Sequence, residues 1–91
     1  MNVKVKYFAY FRDLFGAKEK EVDLGPDNTV ADLLLRLADT PERQSEIFSG
    51  PGLREHLVVM VNGILIHSLA GLETRLKDND VVAVFPFIGG G

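Results

Sequence analysis

The stretch that decides the fold reads Val81-Val82-Ala83-Val84-Phe85-Pro86-Phe87-Ile88-Gly89-Gly90-Gly91. Its first five residues form a continuous apolar run, which predicts a central strand that is buried on both faces. Pro86 cannot donate to a sheet ladder, so we expect the strand to stop there. The three glycines offer no side chain for packing and lose much entropy on ordering, which predicts a mobile tail over residues 87–91. Such a tail would present the carboxylate of Gly91 at the end of a thin backbone ribbon.

Four more strand patterns precede this one. Residues 57–61 and 64–66 are apolar runs on either side of Asn62-Gly63, which is typical of a tight hairpin turn that needs positive φ at both central residues. Residues 2–10 and 19–24 alternate with period two and predict a second hairpin, with a turn at residues 12–16. At Phe8 and Tyr10 both faces of the first strand become apolar. This end of the strand therefore lies under another element or offers a surface to a partner.

Two helices are predicted between the hairpins. Thr29 precedes an apolar run and Asp32 follows three residues later, close to a capping box, so we place the main helix at residues 30–39. Its apolar positions fall on one stripe: Val30, Leu33, Leu34 and Leu37. Thr40-Pro41 opens a shorter helix through about Phe48. The order of elements predicts an α+β fold, in which a mixed sheet of four to five strands wraps over one main helix.

Composition bounds the class of protein. Ninety-one residues predict one domain over residues 1–91. The formal net charge of −3 at pH 7 does not indicate a nucleic-acid-binding surface, which is usually basic. No apolar run reaches the length of a membrane span. The chain has no Cys, so it holds no disulfide and no thiolate nucleophile. We expect a cytoplasmic protein that binds neither nucleic acid nor membrane.

Taken together, these segments resemble the MoaD/ThiS sulfur carriers of the ubiquitin-like β-grasp superfamily. The resemblance rests on Val3–Ala9, Gly16, Thr29-Val30, Val61-Asn62-Gly63, Leu76–Val81, Phe85-Pro86 and Gly90-Gly91. An insertion at residues 52–56 is similar to that of the archaeal-type branch, which includes small protein modifiers. The tail departs from the family's usual Phe-Pro-Pro pattern, because Phe87 stands where the second proline is usual and Gly89 where Ala, Ser or Thr is common.

The resemblance implies a carrier rather than an enzyme. The carboxylate of Gly91 would be adenylated by an E1-like partner of the MoeB/ThiF type, and sulfur would then replace AMP to give a thiocarboxylate. The partner would use ATP, and the chain itself would hold no cofactor and no metal. Gly89 and Gly90 would let the tail enter partner active sites without steric clash. The implied role is the small subunit of molybdopterin synthase, beside a large subunit of the MoaE type.

The resemblance also implies a partner-binding surface. Phe8, Leu65 and Phe85 match positions at which the small synthase subunit packs on the large one, and Pro86 and Phe87 extend that contact toward the tail. Ordinary core packing is the alternative interpretation of these apolar side chains.

Other functions remain open at this point. A ubiquitin-like modifier would be joined through Gly91 to lysines of target proteins, and a related carrier would deliver sulfur for thiamine thiazole synthesis. A plain ubiquitin-like interaction domain with an inert tail is a further alternative. His56 and His67 are single histidines that we assign to surface or turn positions. The sequence Asp78-Asn79-Asp80 lacks the spacing of a calcium loop and predicts a β-turn.

Overall fold

The computed structural model describes residues 1–26 and 28–87. The predicted mobile tail lies outside these ranges except for Phe87. The strands are β1 Asn2–Tyr7, β2 Glu19–Asp23, β3 Phe48–Ser49, β4 Gly52–Leu53, β5 Leu57–Val61, β6 Ile64–Leu65 and β7 Val81–Pro86. The helices are α1 Phe11–Phe15, α2 Val30–Leu37 and α3 Pro41–Ile47, with 3₁₀ turns at Ile66–Ser68 and Gly71–Glu73.

Five strands form one mixed sheet in the order β2-β1-β7-β5-β6. The two outer hairpins, β1–β2 and β5–β6, are antiparallel, while β7 lies parallel to β1 and antiparallel to β5. The last strand therefore fills the centre of the sheet, and this confirms both the α+β class and the central position predicted for that strand. At the Asn62-Gly63 turn the φ angles are 51° and 81°, as the tight hairpin requires.

The α2 helix covers one face of the sheet and supplies much of the core. Its start is the predicted capping box, in which the Thr29 hydroxyl accepts from the Asp32 N–H at 3.3 Å and the Asp32 carboxylate accepts from the Thr29 N–H at 2.8 Å. The side chains buried in this layer include Val5, Val30, Leu33, Leu34, Ile47, Val82 and Val84. The core thus lies between α2 and the inner face of β1, β7 and β5.

One prediction about β7 is wrong. Val82 and Val84 are buried, but Val81, Ala83 and Phe85 are only half-buried, so the strand is not covered on both faces. The helices pack on one face alone, and the continuous apolar run instead leaves an apolar surface on the other. Pro86 does end the strand, as expected. The Phe87 N–H still donates to the carbonyl of His56 beyond it.

The first predicted strand and turn also differ from the structure. β1 stops at Tyr7 rather than near residue 10, because Ala9 has a positive φ of 55° and redirects the chain. The predicted turn at residues 12–16 is the short helix α1, which buries Phe11 and ends at Gly16 with φ 70°. The second predicted helix, expected to run through about Phe48, ends at Ile47, and Phe48 instead begins the small β3–β4 hairpin.

Candidate functional site on the open sheet face

The strand register brings apolar side chains together on the uncovered face of the sheet. Lys6, Ala83, Met60 and Leu65 are successive register partners across β1, β7, β5 and β6. Lys6, Ala83 and Met60 alternate with buried residues along their strands, and Leu65 pairs with Met60, so this row faces away from the core. Leu65 is 42% exposed and Met60 is half-buried.

A second row lies nearer the carboxyl end of β7. Phe85 pairs with Val58 in register, and its ring meets that of Phe8 edge to face with centroids 5.7 Å apart. Phe8 is 38% exposed. The Arg12 guanidinium lies 5.4 Å from the centroid of the Phe8 ring, and the Arg12 Nε donates to the carbonyl of Tyr7 at 3.0 Å. These contacts hold the Phe8 ring at the surface.

We call this surface the open-face patch. It comprises Phe8, Val58, Met60, Leu65, Ala83 and Phe85. Toward β2 the same face becomes charged, with Lys4 and Glu19 in an ion pair of 3.3 Å. The patch is therefore an apolar area with a charged border, an arrangement that is typical of protein-binding surfaces.

The structure places the predicted partner-binding residues as follows. Phe8, Leu65 and Phe85 share the open-face patch, Pro86 is half-buried at the end of β7, and Phe87 is 60% exposed. Gly89, Gly90 and Gly91 lie outside the described residues. Val58, Met60 and Ala83 join the patch in addition to the residues predicted from the sequence. Their alternation along residues 57–61 and 81–85 was visible, but assigning them to one face required the register.

A small cavity of about 50 Å³ lies beside the end of β7. It is lined by Tyr10, Phe11, Glu46, Arg54, His56, Leu57 and Pro86. The Tyr10 hydroxyl donates to the Glu46 carboxylate at 2.7 Å, and this bond raises the pKa of Tyr10. This exposed hydrogen bond positions the Tyr10 side chain near Pro86, the last residue of β7.

Asp78, Asn79 and Asp80 form the predicted turn. Asp80 is 6% exposed, and its carboxylate accepts from the Lys77 N–H at 2.8 Å and from the Asn62 amide at 2.9 Å. The Asn62 side-chain oxygen Oδ1 accepts from the Val81 N–H at 2.9 Å, so the Asn62 side chain links the β5–β6 turn to the start of β7. Both Asp80 carboxylate oxygens therefore accept hydrogen bonds that stabilise the turn before β7.

In residues 1–26 and 28–87, no three His, Asp or Glu side chains are grouped to hold a metal ion. His56 and His67 are both exposed. A search of the same residues finds no helix long and apolar enough to cross a membrane.

Comparison with known proteins identifies the class. The ThiS family matches residues 5–91 of this chain. Small archaeal modifier protein 3 of Haloferax volcanii is 33% identical over the full length of both chains. The solution structure of small archaeal modifier protein 1 from Methanosarcina acetivorans is 35% identical, with a TM-score of 0.86, and the match covers 99% of this chain and 96% of that one.

A third relative carries a different description. A candidate subunit 1 of molybdopterin converting factor from Pyrococcus furiosus is 38% identical, with a TM-score of 0.78, over 97% of this chain and 99% of the other. The fold and these matches define a ubiquitin-like β-grasp protein that serves as a carrier or modifier rather than as a catalyst. The chain belongs to the ThiS family of ubiquitin-like sulfur carriers and modifiers.

Proposed function

We propose that this chain carries sulfur as a thiocarboxylate at Gly91. The observation that carries the proposal is the ThiS family match, which runs from residue 5 through residue 91 and so includes the terminal glycines. A carrier of this kind needs no thiol, since the sulfur replaces an oxygen of the main-chain carboxylate. The absence of Cys from the sequence is consistent with that chemistry.

The proposed reaction proceeds in two steps on an E1-like partner of the MoeB/ThiF type. A carboxylate oxygen of Gly91 attacks the α-phosphate of ATP, an O–P bond forms, and pyrophosphate leaves. Hydrosulfide released by the sulfur donor then attacks the acyl carbon, forming the C–S bond of the thiocarboxylate while the C–O bond to AMP breaks and AMP leaves. Adenylation is needed because a free carboxylate has no adequate leaving group.

The open-face patch is the proposed docking surface for this partner. Phe8, Leu65 and Phe85 would provide apolar anchors, and Pro86 and Phe87 would extend the contact. Because Phe85 lies on the last strand, docking there fixes the origin of the tail beside the partner. Five residues beyond Pro86 span roughly 17 Å when fully extended, a length that lets Gly91 enter a recessed active site.

For the later fate of the sulfur we propose delivery to molybdopterin, with the chain acting as the small subunit of molybdopterin synthase. The 38% identity to the Pyrococcus furiosus protein supports this assignment. The large, MoaE-type subunit would then use the same open-face patch. The E1-like enzyme would have to dissociate before the synthase forms, since both partners share one surface.

A second candidate function is protein modification through Gly91. The small archaeal modifier proteins of Haloferax volcanii and Methanosarcina acetivorans, at 33% and 35% identity, favour it. Both functions require the same adenylate. They differ in the next nucleophile, which is sulfur in one case and the amine of a target lysine in the other.

Intact-mass measurement after incubation with the E1-like enzyme, ATP and a sulfur donor tests the proposal. A gain of about 16 Da, the difference between sulfur and oxygen at one activated carboxylate, should map to the C-terminal peptide. Omission of ATP is the control. A chain that instead appears only in isopeptide bonds to lysines, without any thiocarboxylate, would establish the modifier function in place of sulfur transfer.

A further inference from the structure

Within residues 1–26 and 28–87, the sheet has a free edge at β2. β2 is the first strand in the order β2-β1-β7-β5-β6, and among these residues it pairs only with β1. An unpaired strand edge offers backbone donors and acceptors to another extended chain.

Two hydrogen bonds determine which backbone groups face that edge. The Tyr7 N–H donates to the carbonyl of Lys18, and the Leu24 N–H donates to the carbonyl of Met1. In an antiparallel pair these directions alternate residue by residue, so Lys20 and Val22 also bond toward β1. The N–H and C=O groups of Glu19, Glu21 and Asp23 therefore point along the free edge.

A cleft of about 270 Å³ runs beside this edge, between β2 and the helices. We call it the β2 cleft; its lining includes Tyr7, Phe15, Lys20, Val22, Arg36 and Arg43. Glu21 and Asp23 also border it, but their side chains alternate with that of buried Val22 and so take the opposite side of the strand. The helix side of the edge thus carries three cations, Lys20, Arg36 and Arg43, and one anion, Asp39, which is bonded to Arg43.

The three cations of the β2 cleft differ in how they are used. Arg43 binds Asp39 at 2.7 Å, donates from Nε to the carbonyl of Leu14, and lies 5.0 Å from the centroid of the Phe15 ring. Lys20 and Arg36 are exposed, and within the part of the chain that the structure describes neither is in an ion pair. These two side chains remain available to an acidic ligand.

A buried donor lies in the same cleft. Tyr7 is 1% exposed and its ring stacks on Phe15 at 4.4 Å, yet its hydroxyl has no hydrogen-bond partner among the described residues. The hydroxyl lies in the electrostatic field of Arg43 and Asp39, which both line the cleft. A buried donor without an acceptor is costly, so an acceptor that enters the cleft would gain a bond there.

We propose that the β2 cleft binds an extended acidic segment of a partner protein, which adds to the β2 edge as a sixth strand. Backbone bonds to Glu19, Glu21 and Asp23 would give the register. Acidic side chains at alternate positions would meet Lys20 and Arg36. A second copy of this chain is excluded as the occupant, because antiparallel pairing of two β2 edges would place acidic side chains opposite one another.

The test is an NMR titration of the ¹⁵N-labelled full chain with a capped eight-residue peptide that alternates Glu and Thr. The amide signals of Glu19–Asp23 and Arg36 should shift, and those of the open-face patch should not. A matched peptide that alternates Lys and Thr is the charge control. No shift at millimolar Glu–Thr peptide, or equal binding of the Lys–Thr peptide, would overturn the proposal.

Three variants distinguish the contribution of the cationic side chains from that of backbone pairing with the β2 edge. Lys20→Glu with Arg36→Glu should weaken peptide binding by about fivefold or more, since both cations reverse sign at exposed positions. Glu21→Pro should also weaken it, because proline removes a free-edge N–H without removing a bond to β1. Glu21→Ala keeps that N–H and should bind normally. Unchanged affinity in the double charge variant would contradict the proposal.

If Glu21→Pro destabilises the fold, a peptide methylated on its backbone nitrogens provides the same test with the unmodified protein. It should fail to bind if the segment pairs with β2, and normal binding would overturn the strand addition. Deletion of Gly90 and Gly91 should leave peptide binding unchanged. Failure of the sulfur-carrier proposal is therefore distinguishable from failure of this one.

Discussion

Phe8 and Phe85 meet edge to face on the open side of the sheet, with ring centroids 5.7 Å apart and an interplanar angle of 81°. Phe85 belongs to the central strand, whereas Phe8 lies just after the end of β1. The contact ties the exposed Phe8 ring to the strand that leads into the tail. A partner that binds this pair of rings therefore also determines where the tail after β7 begins relative to the partner's surface.

Phe8→Arg should disrupt partner binding and leave the protein folded. Phe8 is 38% exposed, so a charged side chain there can reach water, unlike a charge placed in the core. Loss of an aromatic anchor in the open-face patch should weaken binding to the E1-like enzyme or the large synthase subunit by about 2 kcal/mol, roughly thirtyfold. Circular dichroism and titration calorimetry measure the two effects.

Leu35→Arg is the matched control for this substitution. Leu35 is a 63% exposed apolar residue on α2, and α2 packs on the opposite face of the sheet. The Leu35→Arg variant should bind the E1-like enzyme and the large synthase subunit as tightly as the unmodified chain does. Normal binding by a folded Phe8→Arg variant would show that the open-face patch is not the interface.

Deletion of Gly90 and Gly91 should abolish activation without loss of stability. The buried core of the described residues extends no further than Val84, and glycine contributes no side chain to packing. The melting temperature should stay within error of the full chain while the mass change with ATP and sulfur disappears. A large drop in melting temperature would mean that the last residues are structural.

The elements that could be predicted correctly from the sequence are those whose signals are local. The Thr29–Asp32 capping box spans three residues, and the Asn62-Gly63 turn is determined by backbone preferences within two. The apolar stripe of α2 was equally visible. Such patterns determine both the type of element and its position, so the α+β fold could be assembled from them.

Features that depend on distant partners were not predictable in the same way. Whether residues 12–16 form a turn or a helix depends on the burial of Phe11 beneath the sheet, and the sequence gives no measure of that burial. The split of β7 into a buried and an open face depends on helices covering only one side. The β2 cleft likewise needed the three-dimensional approach of Lys20, Arg36 and Tyr7.

Asp80→Ala should destabilise the fold by about 1–3 kcal/mol, the usual cost of leaving buried donors unpaired. The substitution removes the acceptor for the Lys77 N–H and for the Asn62 amide, at a side chain that is 6% exposed. Asp78→Ala is the control from the same turn. Asp78 accepts from the Asn2 N–H at an exposed site, where water can replace it, so its cost should be smaller. Chemical denaturation measures both, and equal costs would contradict the role assigned to Asp80.

Tyr7→Phe should keep or raise stability at neutral pH and change its dependence on alkaline pH. The substitution retains the ring that stacks on Phe15 and removes a buried hydroxyl that has no partner among the described residues. Burial raises the pKa of Tyr7 from 10.0 to about 12, with the Asp39 charge adding to the rise and the Arg43 charge opposing it. Between these pH values the unfolded chain has lost the phenol proton and the folded chain still holds it. Stability contributed by this group is therefore complete below pH 10 and falls as the pH rises toward 12.

The pH dependence of stability in the unmodified chain and in Tyr7→Phe can be compared directly. Denaturation of both proteins across the alkaline range should show a steeper loss for the unmodified chain, by up to about 2–3 kcal/mol. Tyr10 also has a raised pKa, from its bond to Glu46, but it is present in both proteins and cancels in the comparison. Parallel stability profiles for the two proteins would show that the Tyr7 hydroxyl titrates normally. It would then reach solvent or an acceptor through the β2 cleft, and its burial would not be the cause of any pH dependence.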